Sequence, residues 1–101
     1  MKLQPMQEKT IERSLVETVQ ARGGLCLKWV CPGWAGVPDR ICLLPGGLII
    51  FAELKRPGGV IAARQEWWRD KLAALGFRHY YVCGKSDIAA IIKYIDQFDK
   101  G

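Results

Sequence analysis

The sequence has a single histidine, His79, and no Cys-x-x-Cys pair among its four cysteines. Zinc held by thiolates and imidazoles is therefore not expected, because such sites need clustered ligands. With no partner nearby in sequence, His79 reads as an ordinary strand residue rather than a catalytic base. No apolar run approaches the roughly 20 residues that a membrane-spanning helix needs. The opening stretch "MKLQPMQEKT" has no apolar centre and does not read as a secretory signal. Repeats, low-complexity tracts and linkers are missing too. The glycines of "PGG" and "RPGG" are not followed by Gly-Lys-Ser/Thr, which removes a phosphate-binding P-loop.

What is present is a chain of 101 residues, half of them hydrophobic. That predicts one domain, residues 1–101, around one core. Fifteen basic residues against ten acidic ones give a net charge of +5. The excess favours a polyanionic partner without choosing among DNA, RNA and an anionic surface. Three of the four cysteines (Cys26, Cys31, Cys42, Cys83) fall in strand-like runs, where a buried thiol is ordinary. The reducing cytosol is the natural compartment.

Helical spacing runs from about residue 6 to 22, with Ile11, Leu15, Val16 and Val19 on one stripe and Gly23-Gly24 as the stop. Leu25–Val30 reads as a strand, and "CPGWAGVP" as a turn-rich loop. Arg40–Leu44 and Leu48–Lys55 read as two strands joined at "PGG". Ile61–Leu75 is helical and stops at Gly76, "FRHYYV" is a fourth strand, and Ser86 caps a last helix carrying Ile88, Ile91, Ile92 and Ile95. The order is α-β-β-β-α-β-α, an α/β fold with a mixed sheet flanked by helices.

The hairpin brings acids together. If Pro45-Gly46-Gly47 forms a three-residue loop, Leu44 faces Leu48, and counting outward pairs Asp39 with Glu53. Asp39, Glu53 and Lys55 then share one sheet face, whereas a two-residue loop would put Asp39 on the other. On the first helix, Glu12 lies inside the apolar stripe, with Glu8 one turn earlier in nearly the same direction. A carboxylate so placed has to be paired, protonated or bound to metal. Gln65 points to the same side as Trp68 and Leu72. Hard oxygen ligands of this kind suit Mg²⁺ or Mn²⁺. The plainer alternatives are an edge ion pair for Glu53 and Lys55, and a turn for Pro38-Asp39.

Pro38-Asp39 followed by Glu53-Leu54-Lys55 resembles the PD-(D/E)XK nuclease signature. The wider string is "IERSLV", "GG" with Lys28 after it, "PGWAGVPDRICLLPGG", "FAELKRPGG", Gln65 and "LGF". From about Glu8 to Tyr94 it resembles the VRR-NUC (virus-type replication-repair nuclease) family, particularly its small stand-alone phage and bacterial members. The resemblance implies a restriction-endonuclease-like fold and Mg- or Mn-dependent hydrolysis of DNA phosphodiesters, leaving 5′-phosphate and 3′-hydroxyl ends. It makes Asp39, Glu53 and the backbone carbonyl of Leu54 metal ligands, Lys55 the catalytic lysine, Gln65 the helix-two glutamine and Glu12 the first-helix acid, with Glu8 its alternative.

Lys28, Arg40, Arg56 and Arg64 flank this site and are candidate phosphate contacts. Trp34, in the loop before Asp39, is a candidate to stack on a base. Trp67 and Trp68 are adjacent on a helix and cannot both face the core, which leaves Trp67 for an interface. The expected protein is a cytoplasmic DNA endonuclease, of a bacterial or phage-infected cell, that cuts branched, junction-like DNA as a homodimer and needs no membrane. The alternative is a non-catalytic nucleic-acid-binding domain on the same fold.

Overall fold

The computed structural model describes residues 8–100, without the side chains of residues 99 and 100. The part of the first predicted helix that precedes Glu8 lies outside the described residues. Along the chain come α1 (Glu8–Ala21), β1 (Leu25–Lys28), β2 (Arg40–Leu44), β3 (Leu48–Leu54), α2 (Ala63–Ala74), β4 (Arg78–Val82) and α3 (Lys85–Lys100). This is the anticipated α/β order. β2 and β4 end where the sequence places them, whereas α1, β1, β3 and α2 stop a residue or two earlier, as β1 does at Lys28 instead of Val30.

The sheet has the order β1-β2-β3-β4. Its first three strands are antiparallel, and β4 lies parallel to β3. A parallel neighbour requires a crossover, and α2 supplies it. The β2–β3 register follows the three-residue loop: Leu44 faces Leu48, Leu43 faces Ile49 and Ile41 faces Phe51. Gly46 and Gly47 both take a left-handed φ of 82°, which glycine adopts without steric cost.

The two sheet faces are unequal. Cys26, Cys42, Leu44, Leu48, Ile50, Ala52, Leu54 and Val82 point to one side, where Ile11, Leu15 and Val19 of α1 and Ile88, Ile91 and Ile95 of α3 complete the core. On the other side α2 packs chiefly beside β4. Leu25 and Leu27 of edge strand β1 therefore stay 56% and 43% exposed. Cys26 and Cys42 are cross-strand neighbours with their sulfurs 3.6 Å apart, both as free thiols.

Helix ends explain the chain's punctuation. The N–H groups of Gly23 and Gly24 bond back to Gln20 and Val19, and those of Gly76 and Phe77 to Ala73 and Leu72. Both are Schellman closures of the helix preceding them. At α3 the cap differs from expectation. Asp87, not Ser86, accepts the N–H groups of Cys83 and Gly84, at 2.8 and 3.2 Å. An acid three residues into a helix can reach back over its start, and a carboxylate is the stronger acceptor there.

Candidate active site

Asp39 lies just before β2 and Glu53 near the end of β3, so the hairpin register sets them side by side. The Asp39 N–H donates to Glu53 Oε1 at 3.2 Å, and Asp39 Oδ2 accepts the Leu54 N–H at 2.8 Å. Each acid thus holds the other strand's backbone, which fixes both carboxyl groups at the open end of the hairpin. Gln65 reaches Glu53 from α2. Its Oε1 accepts the Ala62 N–H at 3.0 Å, which leaves its amide nitrogen to donate to Glu53 Oε2. Lys55 Nζ lies 3.8 Å from the same oxygen and donates to the Val60 carbonyl at 3.0 Å. Four of the expected residues meet in one place.

Glu12 arrives differently. α1 covers the sheet face opposite Glu53, and the Glu12 carboxylate accepts from Arg40 Nε at 2.9 Å. Arg40 also donates to the Cys26 carbonyl at 3.0 Å, so this cation is held within the fold instead of lying free on the surface. Glu12 still shares a hollow of about 270 Å³ with Glu8, Lys28, Trp29, Val30, Asp39 and Leu54. Glu8 and Glu12 both border it, as their common direction on the helix anticipates. Lys28, Arg56 and Arg64 are exposed.

Glu53 is 4% exposed, and its pKa is pushed up to about 7, first by burial and then by the neighbouring charge of Asp39, against the pull of Lys55.

No family model matches the chain. A curated relative, "Putative nuclease p44" of Acyrthosiphon pisum secondary endosymbiont phage 1, is 38% identical over 91 residues, covering 90% of this chain and 97% of the relative. A solved structure described as "VRR_NUC domain" superposes with a TM-score of 0.79 at 25% identity, covering 85% of this chain and 94% of that one. The chain belongs to the VRR-NUC family. Its mixed sheet and flanking helices are the fold of that nuclease family.

The donors of this VRR-NUC site fit a hard divalent cation. Among the described residues no three His, Cys, Asp or Glu side chains form a metal-binding group. Mg²⁺ does not need one, because it commonly sits on one or two carboxylates and retains water or substrate phosphate. Asp39 and Glu53, held side by side at the open end of the hairpin, are carboxylate donors of that kind.

Sequence reasoning missed Tyr81. It lies opposite Glu53 in the parallel β3–β4 ladder, and its hydroxyl donates to the Gln65 carbonyl at 3.5 Å. The signal was available only through the β-α-β crossover, which brings the fourth strand beside the third.

A pH prediction follows for the metal-free protein. Because the folded Glu53 pKa of about 7 exceeds its ordinary 4.5, its stabilising contribution is complete below pH 4.5 and lost as pH rises through 7. His79 acts oppositely: burial, then Arg69, lowers its pKa from 6.5 to about 4, so its contribution is lost as pH falls through that range. The two oppose each other at mildly acidic pH, and of the two Glu53 dominates above about 6.5. In chelator, Tm should fall from pH 6.5 to 8, and less so in Glu53→Gln. Thermal unfolding monitored by circular dichroism checks this; equal slopes in both proteins would refute it.

Proposed function

We propose that the chain is a Mg- or Mn-dependent DNA endonuclease that hydrolyses phosphodiester bonds in branched DNA and works as a homodimer. The carrying observation is the buried Glu53 carboxyl, held between Asp39, Gln65 and Lys55 in a chain of net charge +5. A small acidic seat within a basic protein lets a cation meet a phosphate without the protein repelling it. Asp39, Glu53 and the Leu54 carbonyl would hold the cation, which supplies Lewis-acid polarisation of the phosphodiester and acidifies water. Lys55 places a fixed positive charge beside these acids, where it offsets charge building on the phosphate. Gln65 keeps Glu53 aimed, and Tyr81 supports Gln65. Lys28, Arg56 and Arg64 add exposed positive charge for DNA.

Incubating supercoiled plasmid with and without Mn²⁺ tests the reading. Nicked or linear product is expected only with metal. DNA binding without cleavage in either condition would favour the second reading, a non-catalytic nucleic-acid-binding domain.

The homodimer draws support from the sheet and not from α3. The apolar stripe of α3 is spent on the core, where Ile91 is fully buried. Leu25 and Leu27 instead continue, through Leu43 and Ile41, an apolar strip on the thinly covered sheet face. A two-fold partner laid on this strip would bury it and give paired sites for the two strands of a junction. Light scattering should report twice the monomer mass, and Leu27→Glu should halve it. A wild-type monomer making uncoupled nicks would remove the dimer.

A further inference from the structure

Resting on the reading above as a DNA nuclease, we propose a base-binding platform beside the acid pair, in which Trp34, Trp67 and Arg64 take one unpaired nucleobase and its phosphate. The platform ends a continuous aromatic ladder. Phe77 meets Phe51, Phe51 meets Trp29, and Trp29 meets Trp68, with ring centroids 5.2 to 5.5 Å apart. Trp68 then contacts both Trp34 and Trp67. The inner members are packed, but Trp34 is 57% and Trp67 49% exposed. Those two rings lie within 22° of parallel, 6.2 Å apart, at the edge of an open hollow of about 340 Å³.

The loop carrying Trp34 is fixed in place. Trp68 Nε1 donates to the Ala35 carbonyl at 3.0 Å. Gly36, at φ +82°, packs so closely on α2 that a Cβ there would come within 2.7 Å of Arg64 Cβ. The two indole rings stack on each other and present their outer faces to water on a braced support, which lowers the ordering cost of stacking a base there.

The lining chooses the ligand. It offers aromatic faces and the Arg64 guanidinium, and contains no carboxylate. A base with its phosphate matches that pair of features, and stacking tolerates any base. Trp29, the ladder member beside Trp68, donates its backbone N–H to the Asp39 carbonyl at 3.0 Å, and Arg64 precedes Gln65, whose amide holds Glu53, so the platform is built on the same segments as the acid pair. Bases within a duplex have their faces occupied, so only an unpaired or extruded one can use the platform. The substrate class is DNA with an unpaired nucleotide close to the cut.

The test is binding in chelator, where no cleavage is expected, to a duplex carrying 2-aminopurine either as a one-base bulge or fully paired. The wild type should prefer the bulge and change its fluorescence on stacking. Trp34→Ala and Trp67→Ala should each reduce that preference about tenfold. Trp34→Phe, which retains a π-face and guards against misfolding, should restore most of it. An undiminished preference in both alanine variants, with native circular dichroism, overturns the proposal. So does loss of dimer mass in those variants, which would assign the surface to a second copy. Asp39→Asn separates the two readings, since it should keep the bulge preference while losing Mn²⁺-dependent cleavage. Full cleavage by that variant, alongside a preference that falls in Trp34→Ala, would sink the metal site and leave the platform standing.

Discussion

Asp39→Asn and Glu53→Gln should each lower metal-dependent cleavage by about a hundredfold or more, a loss on the scale of removing one essential electrostatic group. The asparagine keeps an oxygen where Asp39 accepts the Leu54 N–H at 2.8 Å, so the strand end stays closed. What disappears is the negative charge that a cation would answer. Glu53→Gln is less innocent. One of its two oxygens becomes a donor, and Gln65 already presents its own amide nitrogen there while its oxygen is committed to Ala62. A modest stability loss at acidic pH is therefore expected, where the wild-type carboxyl is protonated. Toward pH 8 it should shrink, because the variant no longer pays for burying a charge. Plasmid cleavage with Mg²⁺, with thermal unfolding of the same samples, measures both effects. Wild-type cutting by either variant would end the metal-site assignment.

How the site became legible depends on the element concerned. Turn chemistry at "PGG" fixes the loop length, loop length fixes the register, and the register fixes which side chains share a face. Asp39 beside Glu53 follows from counting alone. Gln65 was readable because helical spacing places it with Trp68 and Leu72. Glu12 shows where such counting stops. A helical wheel gives a direction around the helix axis but not which sheet face the helix covers. α1 lies opposite Glu53, and Glu12 turns to Arg40. The same gap hid the aromatic platform. The periodicity of α2 separates Trp67 from Trp68, but the position of Trp34 depends on a loop whose path is set by tertiary contacts with Arg64 and Trp68. Exposure of Leu25 and Leu27 was equally out of reach, because alternation marks a face without saying whether anything covers it.

Lys55→Ala should remove most of the activity and leave metal binding intact, so it separates chemistry from site assembly. The lysine is 18% exposed and spans two acceptors, the Val60 carbonyl at 3.0 Å and Glu53 Oε2 at 3.8 Å. Deleting it has two electrostatic consequences that run against each other. Glu53 loses a charge that lowers its pKa, so protons compete harder for the carboxylate. A cation in the same place loses a like-charged neighbour. Coulomb energy scales with the product of charges, so the relief for a doubly charged metal outweighs the gain for a single proton. Mn²⁺ affinity should therefore hold or rise, most visibly above pH 7, where proton competition fades. Turnover should still collapse, since no other ammonium group contacts Glu53 among the described residues. Lys55→Arg keeps the charge but spreads it over a planar group, and should recover activity only in part. Calorimetric titration with Mn²⁺, run beside cleavage assays on all three proteins, provides the comparison. If Lys55→Ala no longer binds metal, its bond to Val60 is what matters: the lysine then holds the segment after β3 in place, and the charge-offset role is wrong.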